Sequence, residues 1–314
     1  MADVNLGALL STTLKNYRST LVDQIHSSNA LFYSLKNKDG IKEESGGERI
    51  VQPIMYAKND TAKSYSGYDS LDTTPQAGID AAEFNWKQYS ASITISGEEE
   101  RKNAGSKTKI IDLLDARTKQ ARMSMVEALS TGIFSDGTGN GSKNLTGLAA
   151  MVLDSGTYGG IASGTYTWWK STVDSSSNAI TLAEMRNLFN TPSLGGKDHP
   201  NLIVTTQAIF ETYESLLTAT VQTLSEGSKK LADGGFQTLE FKGVPVVWDE
   251  LCNSGVIYFL NLGHMKLVVH RDANFEVTDF VKPENQDAKV AQILFMGNLT
   301  CDRRKSFSKG TGKS

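Results

Sequence analysis

Apolar residues in the first 40 positions fall at helix-like intervals (Leu6, Leu9, Leu10, Leu14, Tyr17, Leu21, Val22, Ile25) in a polar background that ends near Gly40. Such an amphipathic arm needs something to pack against. From Gly46 to Gly97 the period shortens. Ile50-Val51-Gln52-Pro53-Ile54-Met55-Tyr56 reads as one strand and Phe84 to Ile95 as its partner. In the second strand Phe84 and Trp86 alternate in one phase and Tyr89, Ala91, Ile93 and Ile95 in the other, which predicts a bulge near Gln88. Pro53 suits a central strand poorly, so the pair reads as edge-like or free-standing. The polar stretch between them, Lys58 to Asp80, is too long to sit structureless inside a compact domain and reads as the tip of a projecting hairpin. An isolated two-stranded hairpin is marginal in water, which implies cover from a neighbouring molecule.

The strongest helical pattern runs from Ser106 to Ile133. Ile110, Leu114, Ala121, Met125, Leu129 and Ile133 form one stripe, with Lys109, Arg117, Lys119 and Arg122 outside it. Ser106 is the expected N-cap, and at ~1.5 Å per residue the rod is about 40 Å long. After the glycine-dense turn Ser135-Asp136-Gly137-Thr138-Gly139-Asn140-Gly141-Ser142 and a Gly/Ser-rich segment holding Trp168-Trp169, helices and strands alternate. The pattern predicts helices at Leu182 to Asn190 and Gln207 to Leu217, and a strand at Leu202 to Thr205. Strands follow near 238 to 241, 244 to 248, 256 to 261 and 266 to 270, then Phe275 to Val281 and Lys289 to Met296, before a basic tail. The sum is an α+β chain with an α/β layer region.

Composition narrows the function. The 314 residues are 39% apolar, enough for real cores, and 32 Lys and Arg against 35 Asp and Glu give a net charge of -3. No global field draws the chain to nucleic acid or anionic lipid. The two cysteines, Cys252 and Cys301, form no metal-ligand spacing and read as buried or incidental thiols in a reducing compartment. The first residues lack a signal-peptide pattern, and no apolar run approaches the ~20 residues that cross a bilayer. The expectation is a soluble protein made in the cytoplasm, with no membrane partner.

Candidate chemistry is thin. Gly310-Thr311-Gly312-Lys313-Ser314 imitates the end of a phosphate-binding loop, but its required first glycine falls at Phe307. Asp136, Thr138, Asn140 and Gly141 imitate the start of a calcium loop, whose closing glutamate is instead Gly147. His26, His199, His264 and His270 are scattered, without a nucleophile or HExxH spacing. Glu98-Glu99-Glu100-Arg101-Lys102 reads as a solvated connector. Trp168-Trp169, Tyr65 and Tyr68 lack an interleaved basic patch, so core and subunit contacts are the stronger reading for them. Arg303, Arg304, Lys305, Lys309 and Lys313 suit either weak phosphate contacts or a solvated terminus.

Several short segments in order resemble one family. They are Asp136-Gly137-Thr138-Gly139 with Leu145-Thr146-Gly147-Leu148, Tyr158-Gly159-Gly160-Ile161 with Trp168-Trp169, and Ala232-Asp233-Gly234-Gly235-Phe236-Gln237-Thr238-Leu239. Phe241-Lys242-Gly243-Val244-Pro245-Val246-Val247-Trp248-Asp249, Ile257-Tyr258-Phe259-Leu260-Asn261 and Gly297-Asn298-Leu299 complete the set. Over nearly the whole chain this order resembles the tailed-bacteriophage major capsid proteins, whose Johnson fold is shared by encapsulins and herpesvirus capsid floors.

The resemblance implies an N-arm over 1–45, an E-loop hairpin over 46–97 and a P-domain over 98–150 with its spine helix at 106–133. It further implies a mainly A-domain region over 151–270 and a return to P-domain strands with a basic tail over 271–314. It implies a non-enzymatic shell subunit, without cofactor or metal, that forms hexamers and pentamers and closes into an icosahedral head in the host bacterial cytoplasm. Itself, a portal protein, a separate scaffolding protein and non-specifically contacted double-stranded DNA are the implied partners. Tyr65, Tyr68, Phe84, Trp86, Arg117 and Arg122 are the candidate interface residues, and Arg303, Arg304 and Lys305 the candidate weak DNA contacts. Some relatives weld subunits through lysine, and Lys58 and Lys63 lie in the hairpin tip, but no acceptor is marked and no cross-link is expected. An encapsulin-type compartment shell is the alternative, and a soluble α/β enzyme with a phosphate-binding turn near Asp136 the distant one.

Overall fold

The structure, a computed structural model, describes residues 29–103, 107–217 and 238–314. The arm helix expected before residue 29, the N-cap at Ser106 and the charged loop from 225 to 235 lie outside the described residues. Asn29 opens the description as an N-cap, its side chain accepting from the N–H groups of Leu31 and Phe32. Helix α1 (Ala30–Asn37) buries Leu31, Phe32 and Leu35, so this part of the arm's end is bound into the body.

Strands β1 (Ile41–Glu44), β2 (Ile50–Met55), β3 (Ile79–Phe84) and β4 (Lys87–Ser96) follow. β2 pairs antiparallel with β3, placing Ile50 opposite Phe84 and Met55 opposite Ile79. This corrects the expected pairing: the partner of β2 ends at Phe84, and β4 joins a different sheet. The phase switch near Gln88 marks the start of a new strand rather than a bulge. Alternation is reset whenever the chain changes sheet, because each sheet has its own buried face.

Helix α2 (Gly97–Asn103) leads to the long helix α3 (Lys107–Phe134), which lies along β4. Leu114, Ala121, Met125, Leu129 and Ile133 are all buried, as their spacing requires. Thr118 fills the gap in that stripe and spends its hydroxyl on the Leu114 carbonyl at 2.8 Å.

Beyond the glycine turn come the two-residue strands β5 (Thr157–Tyr158) and β6 (Ile161–Ala162), then β7 (Thr172–Asp174) and helix α4 (Leu182–Asn190). Next are β8 (Leu202–Thr205), helix α5 (Gln207–Leu216), β9 (Thr238–Phe241), β10 (Val244–Trp248) and β11 (Ile257–Leu260). β12 (Met265–Val277), β13 (Ala288–Cys301) and β14 (Ser308–Gly310) close the chain. One sheet has the order β1-β12-β13-β4, the other β7-β14-β11-β8-β10-β9.

The second sheet is covered on both faces, which is why β8 and β11 are buried along their whole length and almost entirely apolar. Ile203, Val246, Ile257 and Phe259 meet α4 and α5, while Leu202, Val204, Val247, Tyr258 and Leu260 join the larger core with α3 and the first sheet. Two expected strands near 266 to 270 and from Phe275 are one strand, β12, whose register shifts between Val269, Asn274 and Glu276. At the shift Phe275 adopts φ 53° and turns inward against Phe295, centroids 5.0 Å apart. A boundary at residue 270 thus falls inside a strand. β14 is not a loose tail; it is inserted between β7 and β11 in the second sheet.

Candidate functional site: the hairpin, the turn and the tail

The hairpin of β2 and β3 has two unlike faces. Ile50, Ile54, Ala82 and Phe84 are buried on one; Val51, Met55 (80% exposed) and Ile79 (75% exposed) stand in solvent on the other. Met55 and Ile79 are directly opposed, and Val51, Pro53 and Met55 follow one another along β2, so the exposed face carries an apolar row, with Glu83 opposite Val51. Beyond it Tyr65 and Leu71 are exposed and Tyr68 fully so.

The buried face rests on β5 and β6. The Glu83 N–H donates to the Gly159 carbonyl at 2.9 Å, and Phe84 meets Tyr158 edge-on at 5.1 Å. Gly159, at φ 58°, is needed there: a Cβ would stand 2.9 Å from both Ala82 and Phe84. Tyr56 stacks on Trp168 at 4.8 Å, and Trp168 meets Trp169 at 5.7 Å, so an aromatic column fastens the hairpin to the body.

The expected interface residues therefore divide. Tyr65 and Tyr68 are on the exposed tip. Phe84 is buried against Tyr158 and is corrected to a core residue; its apolar side chain faces inward because β3 alternates against the body. Trp86 is half-buried, donating Nε1–H to the Gly47 carbonyl at 2.9 Å beside His270. Arg117 pairs with Glu99 at 3.0 Å across two helices, and Arg122 is half-buried on α3. Glu99 also accepts from the Ser96 N–H, and that bond together with Arg117 holds its carboxyl below its usual range.

The glycine turn offers phosphate little. The N–H of Gly137 is taken by Ser135 Oγ, that of Thr138 by Asp136, that of Leu145 by the Tyr89 hydroxyl and that of Thr146 by Asn298. Gly147 N–H bonds the Ser135 carbonyl, and a Cβ at Gly147 would strike the backbone oxygen of Ile133. A phosphate cradle needs free amides aimed at one point; here those of Gly137, Thr138 and Gly147 close the turn on itself, and those of Leu145 and Thr146 tie it to β4 and β13. Among the described residues no cluster of three or more His, Cys, Asp or Glu could hold a metal, and no helix is long and apolar enough to cross a membrane. Cys252 and Cys301 are buried free thiols that burial keeps protonated.

The tail departs furthest from expectation. Arg304, a candidate DNA contact, is 1% exposed. Its guanidinium donates to the carbonyls of Met151 at 2.8 Å, Ala150 at 3.1 Å and Trp169 at 3.4 Å, and lies over the Tyr158 ring. It cannot reach phosphate from there. Arg303 is occupied by Asp198, which leaves Lys305 as the exposed member of the three. Lys309 is buried as well, and Lys313 is held by Asp174 at 3.1 Å, Glu184 at 3.2 Å and Asn178 at 2.8 Å. The phosphate-loop imitation at Gly312-Lys313 is thus an internal lock. Cationic residue types gave no sign of this; the apolar Phe307 beside them, also buried, was the available hint.

Comparison of the sequence with protein-family models and with curated proteins gives no match. Solved structures do match the fold. A chain of the cyanophage A-1(L) capsid asymmetric unit is 18% identical, with 90% of this chain and 92% of that one covered and a TM-score of 0.70. The capsid of an empty GTA particle follows at 13% identity, 90% of each chain and 0.59. The holo-SrpI encapsulin complex from Synechococcus elongatus matches at 11% identity, with 90% and 88% covered, at 0.56. The chain has the Johnson fold of phage capsids and encapsulins.

Proposed function

We propose that the chain is a major capsid protein, which self-assembles as hexamers and pentamers into an icosahedral head around double-stranded DNA. The observation that carries this reading is the hairpin: an apolar row of Val51, Met55 and Ile79 facing solvent on a projecting two-stranded element. Exposed apolar rows of this kind mark interaction surfaces, and a second copy provides a repeated partner in a closed symmetric assembly. The capsid of cyanophage A-1(L), similar over nine-tenths of both chains, supports the choice of a phage head. A separate scaffolding protein and a portal complete the proposed set of partners, and Lys305 is the tail residue left to touch DNA. The encapsulin match favours a second reading, a compartment shell around protein cargo.

Negative-stain microscopy of the purified chain tests the shell directly. Closed particles, capsomers or tubes are expected, and a compact monomer at every concentration defeats both readings. Nuclease-protected DNA in particles from the native source separates the head from the compartment.

A further inference from the structure

Two short chain crossings join the two large sheets, beside the long passage from β4 through α3 to β7. One, Asn261–His264, runs from β11 to β12; the other, Asp302–Phe307, runs from β13 to β14. They lie side by side, the Asp302 N–H donating to the His264 carbonyl at 3.3 Å. The loop entering β8 closes against both.

His264 stands at the centre. Its Nδ1 is 2.8 Å from Asp302, and its Nε2 is 3.3 Å from Asp198 in the β8 loop. Arg303 pairs with the same carboxylate at Asp198 Oδ2, and Asn261 Nδ2 donates to its Oδ1 at 2.5 Å. Asn201 Oδ1 receives the Leu262 N–H at 3.0 Å, and Asn261 Oδ1 receives the Gly263 N–H at 3.1 Å. The charged groups around the ring are Asp302 from the second crossing and Asp198 from the loop, with Arg303 paired to that same Asp198 carboxylate. His199, next to Asp198, points instead to the Pro200 carbonyl and Phe189.

An imidazole between two carboxylates has a simple constraint. Doubly protonated, it donates from both nitrogens; neutral, it carries one N–H, and the bare nitrogen then faces a carboxylate oxygen. One of the two links must open when the proton leaves. We propose that His264, Asp198, Asp302 and Arg303 form a proton-dependent clamp, which fixes the two sheets at their crossings while His264 is charged and loosens one crossing when it is neutral.

The Asp302 bond, with both carboxylate charges, outweighs burial and raises the His264 pKa above its ordinary value. A raised folded pKa gives stability that is fully present below the unfolded value of ~6.5 and lost as pH rises through the folded one. The clamp is therefore shut in acid and slack in mild alkali.

Carbon-13 histidine NMR on the full chain, with His264 assigned through His264→Gln, reads the proton. Its pKa should lie above that of free histidine and fall in Asp302→Asn. Amide exchange, corrected for the intrinsic pH dependence, reads the clamp. Protection at Leu262, Gly263 and Asp302 should drop several-fold across the His264 titration and become flat in His264→Gln. A His264 pKa at or below that of free histidine, or protection that ignores the titration, overturns the proposal. If His264→Gln does not fold, the Asp302→Asn shift assigns the resonance and both readings stand on the native chain. Both readings are made on the chain itself, so they decide the clamp whether or not the chain builds a shell.

Discussion

Arg304 and Lys305 are adjacent in sequence and opposite in role. The Arg304 guanidinium is the donor for the buried carbonyls of Ala150, Met151 and Trp169. It pins the segment after α3 to the second crossing between the sheets, in a place where water cannot substitute. Truncating it strands those carbonyls, and leaving buried partners of a charged donor unpaired costs about 3 kcal/mol or more. Arg304→Met is expected to lose at least that in urea unfolding, whereas Lys305→Ala on the exposed side should stay within ~0.5 kcal/mol of the native chain. Equal, small effects at both positions would mean that the burial of Arg304 is of no consequence.

Strand β14 shows the same inversion at the scale of an element. It is three residues long, yet it separates β7 from β11 and is keyed by Lys313, whose side chain has no solvent exposure. Asp174 is held below the ordinary carboxylate range by the Ser176 hydroxyl and N–H, with Lys313 adding to them. Burial pushes Glu184 upward, but Asn178, Lys313 and Thr181 together outweigh it and keep its pKa low as well. Depressed folded values give stability that is present above the unfolded carboxylate pKa of ~4 and lost as pH falls through the folded one. Amides of β14 should therefore lose protection on acidification before those of β13, and Lys313→Met should destabilise the chain by about 2 kcal/mol at neutral pH. β14 remaining as protected as β13 down to pH ~3 would show that the lysine is not the lock.

How much of this was legible depends on how local the cause is. The stripe of α3 was, because Leu114, Ala121, Met125, Leu129 and Ile133 announce one buried face without reference to anything distant. So was the hairpin's projecting character, from Pro53 and the polar span after it. The partner of β2 was not. A phase change at Gln88 says that alternation resets, and only the distant strand β13 decides that β4 pairs elsewhere. The burial of Arg304 and the gathering of His264, Asp198 and Asp302 are equally non-local, spanning 153 and 66 residues of sequence.

For the whole molecule, the exposed face of the hairpin separates a folded subunit from an assembling one. Met55 and Ile79 lie directly across from each other and contribute little to the isolated chain, since both are largely in water. The double variant Met55→Glu, Ile79→Lys places opposite charges at that cross-strand pair, which preserves the hairpin and should leave unfolding within ~0.5 kcal/mol of native. The same change puts two charges where a neighbour's apolar surface should lie. Uncompensated charge at an interface core is costly, and apolar burial at ~25 cal/mol per Å² is lost with it. Because a closed shell repeats one contact in every copy, a modest loss per hairpin is multiplied across the particle. Sedimentation of the double variant should show folded subunits or capsomers and no closed shells, while Leu194→Glu, at an exposed apolar residue away from the hairpin, should still assemble. Shells that form equally well from both variants would place the assembling surface somewhere other than the hairpin.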